Sequence, residues 1–237
     1  MKRISSSLRV LHTLVAGCWL PETPEGPVRI DSGYVLERRL ITSQLKAAGL
    51  LPGLRAHFIT HAHPDHMGNA AFLRREYGTE IVCRDVERPY MNGSLKHSYS
   101  DLHYLGPVNS TIFRAVLALT PDDYVDPDVS PKDGEEYLGF KLIAVPGHTP
   151  GSTAYLQKST GTLFVGDSLL GGIPPWIMFK GLALPERAFS YDYPEALRSL
   201  RRLCDLDFDV LCCGHGPVFA GGAKRKVMEF LDKKGVL

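Results

Sequence analysis

One stretch of the chain, residues 60–69 (THAHPDHMGN), concentrates side chains that can bind metal ions. It holds the imidazoles of His61, His63 and His66 and the carboxylate of Asp65. Nitrogen and oxygen donors at this density suit zinc, iron or manganese. His61 and His63 can point the same way from an extended segment because one residue separates them. Pro64 favours a turn that would send the next two donors elsewhere, so the spacing predicts two metal ions rather than one.

Three further segments each combine a short apolar run with a single ligand-type residue. We expect strands over residues 142–145, 162–165 and 209–213, because each run is short, apolar and contains β-branched or aromatic side chains. The turns that follow carry His148, Asp167 and His215. Loops at strand ends are where a rigid scaffold holds functional groups. We therefore expect these residues to meet the 60–69 cluster at one site.

The motifs THAHPDH, PGHTPGS, VGDS and GHG together resemble those of the metallo-β-lactamase-fold metallohydrolase superfamily, in its glyoxalase II and lactonase-like branch. The resemblance covers about residues 28–218. It implies an α/β fold of the α+β kind, a four-layer αββα sandwich of two mixed β-sheets flanked by helices. It also implies one domain over residues 1–237, with a variable insert at about 84–136 and a cleft loop at about 168–193.

The resemblance also implies a role for each candidate ligand. The first metal would take His61, His63 and His148, and the second would take Asp65, His66 and His215. Asp167 would bridge both metals, and Asp65 would also move a proton to the departing atom. The segment IDSG looks like the family's IDTG element, which makes Asp31 a candidate support for a ligand. Asp31 could equally be a turn-forming residue.

The implied cofactors are two divalent metal ions, with Zn²⁺ favoured over iron or manganese. Such a pair lowers the pKa of a shared water far below that of bulk water, towards about 7, which gives a bridging hydroxide near neutral pH. We expect a hydrolase that cleaves an ester-type bond, a thioester or a lactone, in a small molecule. The lactonase alternative is weakened because Leu170 stands where those enzymes usually carry Tyr. A carboxylate at Asp167, where lactamases of this fold often have Cys, argues against β-lactam hydrolysis.

Three other functions remain open at this point. A mononuclear iron persulfide dioxygenase could keep the second set of ligands without metal. A phosphodiesterase would use the same metal pair on phosphorus. A non-catalytic binding module on the same scaffold is the third alternative, although such descendants tend to lose ligands and none is missing here.

Composition limits the partners and the compartment. The formal net charge of +1 implies no general attraction to nucleic acid or to acidic membranes, and a homodimer is left open. Five cysteines without framework spacing favour a reducing compartment, so we expect a cytoplasmic protein. Residues 15–18 resemble a lipoprotein cleavage box, but we expect residues 8–15 to form the first strand of the fold. Helices are expected over residues 69–77, 195–203 and 223–234.

Two stretches outside the common framework should carry substrate preference, residues 84–136 and the segment between Asp167 and His215. The second stretch supplies candidate substrate contacts at Trp176, Lys180, Tyr191 and Tyr193. Each of these side chains could instead be a packing residue. His97 and His103 in the first stretch are expected to be surface or hydrogen-bonded histidines, since the seven ligands leave no vacancy for them.

Overall fold

A computed structural model describes residues 1–97, 100–120, 123–173 and 179–237. Two six-stranded sheets face one another. The first has the order β1-β2-β3-β4-β5-β6 and is built from Lys2–Arg3, Leu8–Val10, Trp19–Pro21, Val28–Ile30, Ala56–Phe58 and Glu80–Val82. Its last three strands run parallel and the others antiparallel, so the sheet is mixed.

The second sheet has the order β14-β13-β10-β9-β8-β7. In chain order its strands are β7 Glu136–Tyr137, β8 Phe140–Ala144, β9 Thr153–Gln157, β10 Thr162–Gly166, β13 Val210–Cys213 and β14 Phe219–Ala220. Strand β13 joins β10 in parallel, which makes this sheet mixed as well. A separate ribbon pairs β11 Leu170–Ile173 with β12 Phe179–Ala183.

In the described ranges, seven α-helices accompany the sheets. They are α1 Arg38–Ala47, α2 Pro64–Met67, α3 Ala70–Tyr77, α4 Arg88–Met91, α5 Gly106–Leu119, α6 Tyr193–Ser199 and α7 Ala223–Lys233. Short 3₁₀ turns lie at Val35–Glu37, Asp85–Glu87, Ser100–Leu105, Arg187–Phe189 and Leu200–Asp205. Among the described residues, no helix has the length and apolar character needed to cross a membrane.

Successive side chains of a strand point to opposite faces of its sheet, so each sheet packs against the other sheet on one face and against helices on the other. Phe58 from the first sheet packs against Phe140 and Tyr155 from the second, with ring centroids 4.9 and 5.2 Å apart. The opposite face of the first sheet is covered by α1 and α3, through residues such as Leu45 and Leu73. The opposite face of the second sheet is covered by α7 and the turn after α6. The αββα sandwich predicted from the sequence is therefore confirmed.

Several element boundaries differ from those expected. The strand expected over residues 8–15 ends at Val10, because the chain turns after it into a loop that approaches the site. The helix expected over residues 195–203 begins earlier, at Tyr193, since the Asp192 carboxylate accepts the Glu195 backbone N–H at 2.9 Å. It ends at Ser199 and continues as a 3₁₀ turn. Helix α3 stops at Gly78 in the left-handed conformation, as predicted.

Candidate metal centre

All seven predicted ligands come together at one edge of the sandwich. His61 and His63 follow β5, and Asp65 and His66 lie on α2; His148, Asp167 and His215 lie in the turns after β8, β10 and β13. Six of the seven residues are buried and His215 is half-buried. Strand ends of both sheets meet here, which is why residues far apart in sequence can share a site.

The first group of donors consists of three imidazoles. His63 Nδ1 lies 3.1 Å from His61 Nε2 and 3.1 Å from His148 Nε2. Three nitrogens about 2.0–2.1 Å from one tetrahedral cation would be separated by about 3.3–3.4 Å. The observed spacing is within a few tenths of an ångström of that value. The arrangement therefore fits the face of a coordination tetrahedron.

The second group adjoins the first. Asp65 Oδ2 lies 3.5 Å from His66 Nε2 and 3.4 Å from His215 Nε2. Asp167 reaches both groups, since its Oδ1 is 3.4 Å from His66 Nε2 and its Oδ2 is 3.1 Å from His215 Nε2 and 3.6 Å from His148 Nε2. The Asp167 carboxylate lies between the two groups of donors and contacts both, which is the position that a bridging ligand requires.

Hydrogen bonds on the outer side of three rings fix which nitrogen faces inward. His66 Nδ1 donates to Asp31 Oδ2 at 2.8 Å, and His215 Nδ1 donates to the Val15 carbonyl at 3.2 Å. His61 Nδ1 lies 3.0 Å from Thr60 Oγ1, which itself contacts Asp31. A ring whose Nδ1 carries the proton presents an Nε2 lone pair to the centre, as metal-bound histidines do.

Two buried polar atoms at the centre test whether cations fit. His66 Nε2 and Asp167 Oδ1 are buried and have no hydrogen-bond partner among the described residues. A buried acceptor without a donor costs about 1–3 kcal/mol, and more when it is charged. Both atoms point at the space that the other ligands share, so a divalent cation would satisfy them together. The residues present fit a metal pair.

Electrostatics divides the histidines into two sets. Burial lowers the pKa of His61 and His63 well below the usual range and that of His148 to about 4, which keeps these rings neutral. Burial acts in the same direction on His66 and His215, but the carboxylates of Asp65 and Asp167 outweigh it and raise both pKa values. The two carboxylates therefore make the second group of donors the more favourable place for positive charge.

Backbone geometry shapes the site at two positions. Asp31 adopts a left-handed φ of 58°, and its carboxylate accepts hydrogen bonds from the Thr60 backbone and side chain as well as from His66. Both interpretations from the sequence apply, since Asp31 sits in a turn and contacts a candidate ligand. Gly214 leaves room for the carboxylate, because a Cβ there would lie 1.9 Å from Asp167 Oδ1.

Glu87 is a contributor that the sequence analysis missed. Its side chain is fully buried, and its Oε2 accepts the Ala62 backbone N–H at 2.7 Å. Its Oε1 accepts the Thr149 hydroxyl at 2.8 Å and the Gly151 N–H at 2.6 Å. Glu87 thus joins the loop that carries His61 and His63 to the loop that carries His148. No spacing signal reveals this, since Glu87 lies in the charged run RDVER, which suggests an exposed turn.

The predicted substrate contacts lie in different surroundings. Tyr191 is 63% exposed, and its backbone N–H donates to the His148 carbonyl at 2.9 Å. Tyr193 is half-buried below the guanidinium of Arg187, 5.8 Å from the ring centroid. Lys180 belongs to β12, whose backbone alone is described at that position, and Trp176 lies outside the described residues. Contact of these four residues with substrate stays a prediction.

The two histidines of the 84–136 stretch have non-ligand surroundings. His97 Nε2 donates to the Ala62 carbonyl at 3.1 Å, and its ring stacks on Tyr90 with centroids 4.5 Å apart. The same ring meets His63 edge-on at 4.7 Å, and burial lowers the pKa of His97 to about 4. His103 is exposed and contacts Tyr104. The expectation of surface or hydrogen-bonded histidines is consistent with these contacts.

Comparison with known proteins places this site in a family. The family model of the metallo-beta-lactamase superfamily matches residues 17–215. Among similar proteins, the probable metallo-hydrolase YybB of Bacillus subtilis is 25% identical over 84% of this chain and 79% of its own length. The hydroxyacylglutathione hydrolase GloC of Haemophilus influenzae is 27% identical over 86% of this chain and 87% of its own length.

Solved structures agree on the fold. TTHA1623, crystallised in a di-iron-bound form, superimposes with a TM-score of 0.68 at 24% identity and covers 92% of this chain and 96% of its own. ST1585 of Sulfolobus tokodaii gives a TM-score of 0.68 at 21% identity, with 97% and 86% covered. With its fold, its ring of seven donors and a family model matched over residues 17–215, the chain belongs to the metallo-beta-lactamase superfamily.

Proposed function

We propose that this protein is a metal-dependent hydrolase that cleaves an ester-type bond, a thioester or a lactone, in a small molecule. The observation that carries the proposal is the pair of adjoining donor groups with Asp167 between them. His61, His63 and His148 would hold one cation, and Asp65, His66 and His215 would hold the other.

The chemistry that a bound pair of divalent cations supplies is a water of lowered pKa and polarisation of the carbonyl oxygen that gains negative charge. The protein's own groups hold and orient these partners. The three neutral imidazoles of the first group leave their lone pairs available, because burial lowers the pKa of each. The Asp31 carboxylate keeps the proton of His66 on its outer nitrogen.

Asp65 is our candidate for proton transfer to the leaving group. Its side chain is 12% exposed, so it reaches the surface of the site while its Oδ2 remains 3.4–3.5 Å from two imidazoles. Without metal, the raised pKa values of His66 and His215 favour their protonated forms, whose charge outweighs burial and lowers the pKa of Asp65. It is therefore ionised near neutral pH and available to accept a proton and pass it on.

The substrate class rests partly on relatives. GloC and a second hydroxyacylglutathione hydrolase, from Thermosynechococcus vestitus, carry a name that specifies a thioester of glutathione. The second protein is 34% identical over 54% of this chain. Thioester hydrolysis by this chain is a proposal supported by those names.

The five cysteines are all free thiols, which supports the proposed cytoplasmic location.

Metal analysis combined with a substrate panel tests the proposal. Protein purified without chelators would be assayed for zinc, iron and manganese, then offered a thioester, a lactone and a phosphodiester. Two zinc per chain with thioester or lactone turnover that His66→Ala abolishes would support it. One iron per chain with oxygen consumption on glutathione persulfide would favour the dioxygenase instead. Phosphodiester turnover alone would favour a phosphodiesterase, and a metal-free inert protein would favour a binding module.

A further inference from the structure

A groove lined by residues of both sheets has His215 in its wall. Its volume is about 610 Å³. Its lining combines residues of β1 and β2 in the first sheet with β14 in the second, and it includes Ile4, Val10 and Val218. These three side chains are half-buried and pack against the apolar core between the sheets. The groove is thus an apolar channel with a candidate metal ligand at one end.

Strand register shows what lies at the other end. Lys2 pairs with Val10, and Val10 pairs with Trp19, so the three residues form one line across the sheet. Directly paired residues point to the same face, and Trp19 points into the space between the sheets, where its ring meets Phe164 at 6.4 Å. Two strand spacings separate Lys2 from Trp19, a distance of about 10 Å. Across the sheet, the apolar side chains of Trp19 and Val10 are therefore followed by the cationic side chain of Lys2.

The charge at that end is available. Lys2 is exposed and forms no ion pair with any residue in the described part of the chain. Arg3, which also lines the groove, likewise has no carboxylate partner among the described residues. An apolar channel that ends in uncompensated positive charge complements an apolar chain that ends in negative charge.

We propose that this groove binds the acyl part of the substrate, and that the acyl chain is apolar and carries a terminal carboxylate. The inference rests on the proposed function, because it treats the end at His215 as the place of bond cleavage. The other cavity beside the site, of about 280 Å³, is lined by residues such as Ala62, Met67 and His97 and by none of the seven donors. The groove is the better acyl site, because its own wall contains His215.

A pair of substrates that differ only at the chain end tests the charge. Hexanoyl and adipoyl thioesters of one small thiol have the same carbon chain, and only the adipoyl compound ends in a carboxylate. We expect kcat/KM for the adipoyl thioester to exceed that of the hexanoyl thioester by about fivefold. This factor corresponds to the contribution of a solvent-exposed ion pair between Lys2 and the terminal carboxylate. Lys2→Glu should invert this preference. The matched control is Lys226→Glu, an exposed lysine on α7 that should leave the ratio unchanged.

A second variant tests the channel itself. Val10→Trp would fill the groove midway, so kcat/KM should fall about tenfold or more for both long thioesters and stay unchanged for the acetyl thioester. Turnover of the acetyl compound also reports that the variant is folded and that the metal centre works. Adipate added to the metal-free protein should shift the amide NMR signals of Val10 and Val218, which needs no catalysis.

The outcomes separate this inference from the proposed function. No turnover of any thioester or lactone would refute the function, while adipate binding in the groove would still support the groove. Turnover without a charge preference and without an effect of Val10→Trp would refute the groove alone. A dimer that Val10→Trp dissociates, detected by light scattering, would show that a second copy covers this surface and would overturn the inference.

Discussion

Replacing Glu87 tests whether the two loops of the first donor group depend on one buried carboxylate. The perturbation is Glu87→Gln, which keeps the size of the side chain and replaces one oxygen with an NH₂ group. Glu87 accepts from the Ala62 and Gly151 backbones with its two different oxygens. Glutamine has one oxygen, so one of these buried N–H groups must face another donor.

The magnitude follows from these contacts. A hydrogen bond to a charged group contributes about 1.5–3 kcal/mol, and a buried donor left without a partner costs about 1–3 kcal/mol. A loss of about 2–4 kcal/mol would act on the loop holding His61 and His63 or on the loop holding His148. If half of that loss appears in metal binding, the first cation is held about 5–30-fold more weakly. Burial already raises the pKa of Glu87, because the carboxylate is shielded from water. Its stabilisation therefore depends on the hydrogen bonds that it accepts from the protein.

Metal affinity should be measured in a background that isolates the first group. Asp65→Ala removes a donor of the second group, and a chelator competition titration with Zn²⁺ or Co²⁺ then reports the remaining site. Glu87→Gln in this background should weaken that site by the stated factor. The control is Asp85→Asn in the same 3₁₀ turn, whose carboxylate is 71% exposed and binds Arg88. The control should change metal affinity by less than about twofold, since it lies on a solvated surface.

A folded Glu87→Gln protein with unchanged affinity for the first cation would refute the reasoning. It would mean that the three imidazoles hold their places without the link between their loops. A variant that binds metal normally but melts at a lower temperature would assign Glu87 to fold stability alone. Glu87→Asp gives an independent check, because a shorter carboxylate keeps the charge while losing reach to one loop.

The remaining predictions concern the metals and the cleft. Asp167→Ala should lower kcat by at least about a hundredfold in protein of verified metal content, and near-normal rates would defeat the bridging assignment. Asp31→Asn should weaken metal binding by about 10–100-fold in a chelator titration, since it disturbs the partner of His66. Trp176→Ala and Lys180→Ala should change KM more than kcat, and unchanged values of both would exclude them as substrate contacts. Chelation should lower the melting temperature by about 10–20 °C, because two tightly bound cations contribute about 5 kcal/mol to the free energy of unfolding. Adding metal should reverse the change, and an unchanged melting curve would argue against bound metal.

Sequence reasoning predicted the elements whose signal is local. The strands expected over residues 142–145 and 162–165 are present as Phe140–Ala144 and Thr162–Gly166, within two residues at each end. Apolar runs of this length, bounded by glycine and proline, have few alternatives in a mixed sandwich. The same logic placed each donor in the turn after its strand. Dense ligand spacing is also local information, which is why the residues that come together at this edge could be named in advance.

Sequence reasoning could not predict the contacts that depend on how the two sheets face one another. The Val15 carbonyl reaches His215 across 200 positions, and a backbone oxygen leaves no mark on residue type. The strand expected over residues 8–15 therefore came out too long, since the residues after Val10 leave the sheet to make this contact. Tertiary packing overrode a β-rich local pattern.

Glu87 shows the harder failure, because its residue type misleads. Charged residues are mostly exposed, and the run RDVER around it offers two acids and two bases of similar appearance. Asp85 follows the rule and Glu87 breaks it, two positions apart in the same turn. A buried carboxylate is stable only where donors meet it, and here three donors from two distant loops do so. The stretch predicted as a variable insert, at about residues 84–136, thus contains near its start a residue that links the two metal loops.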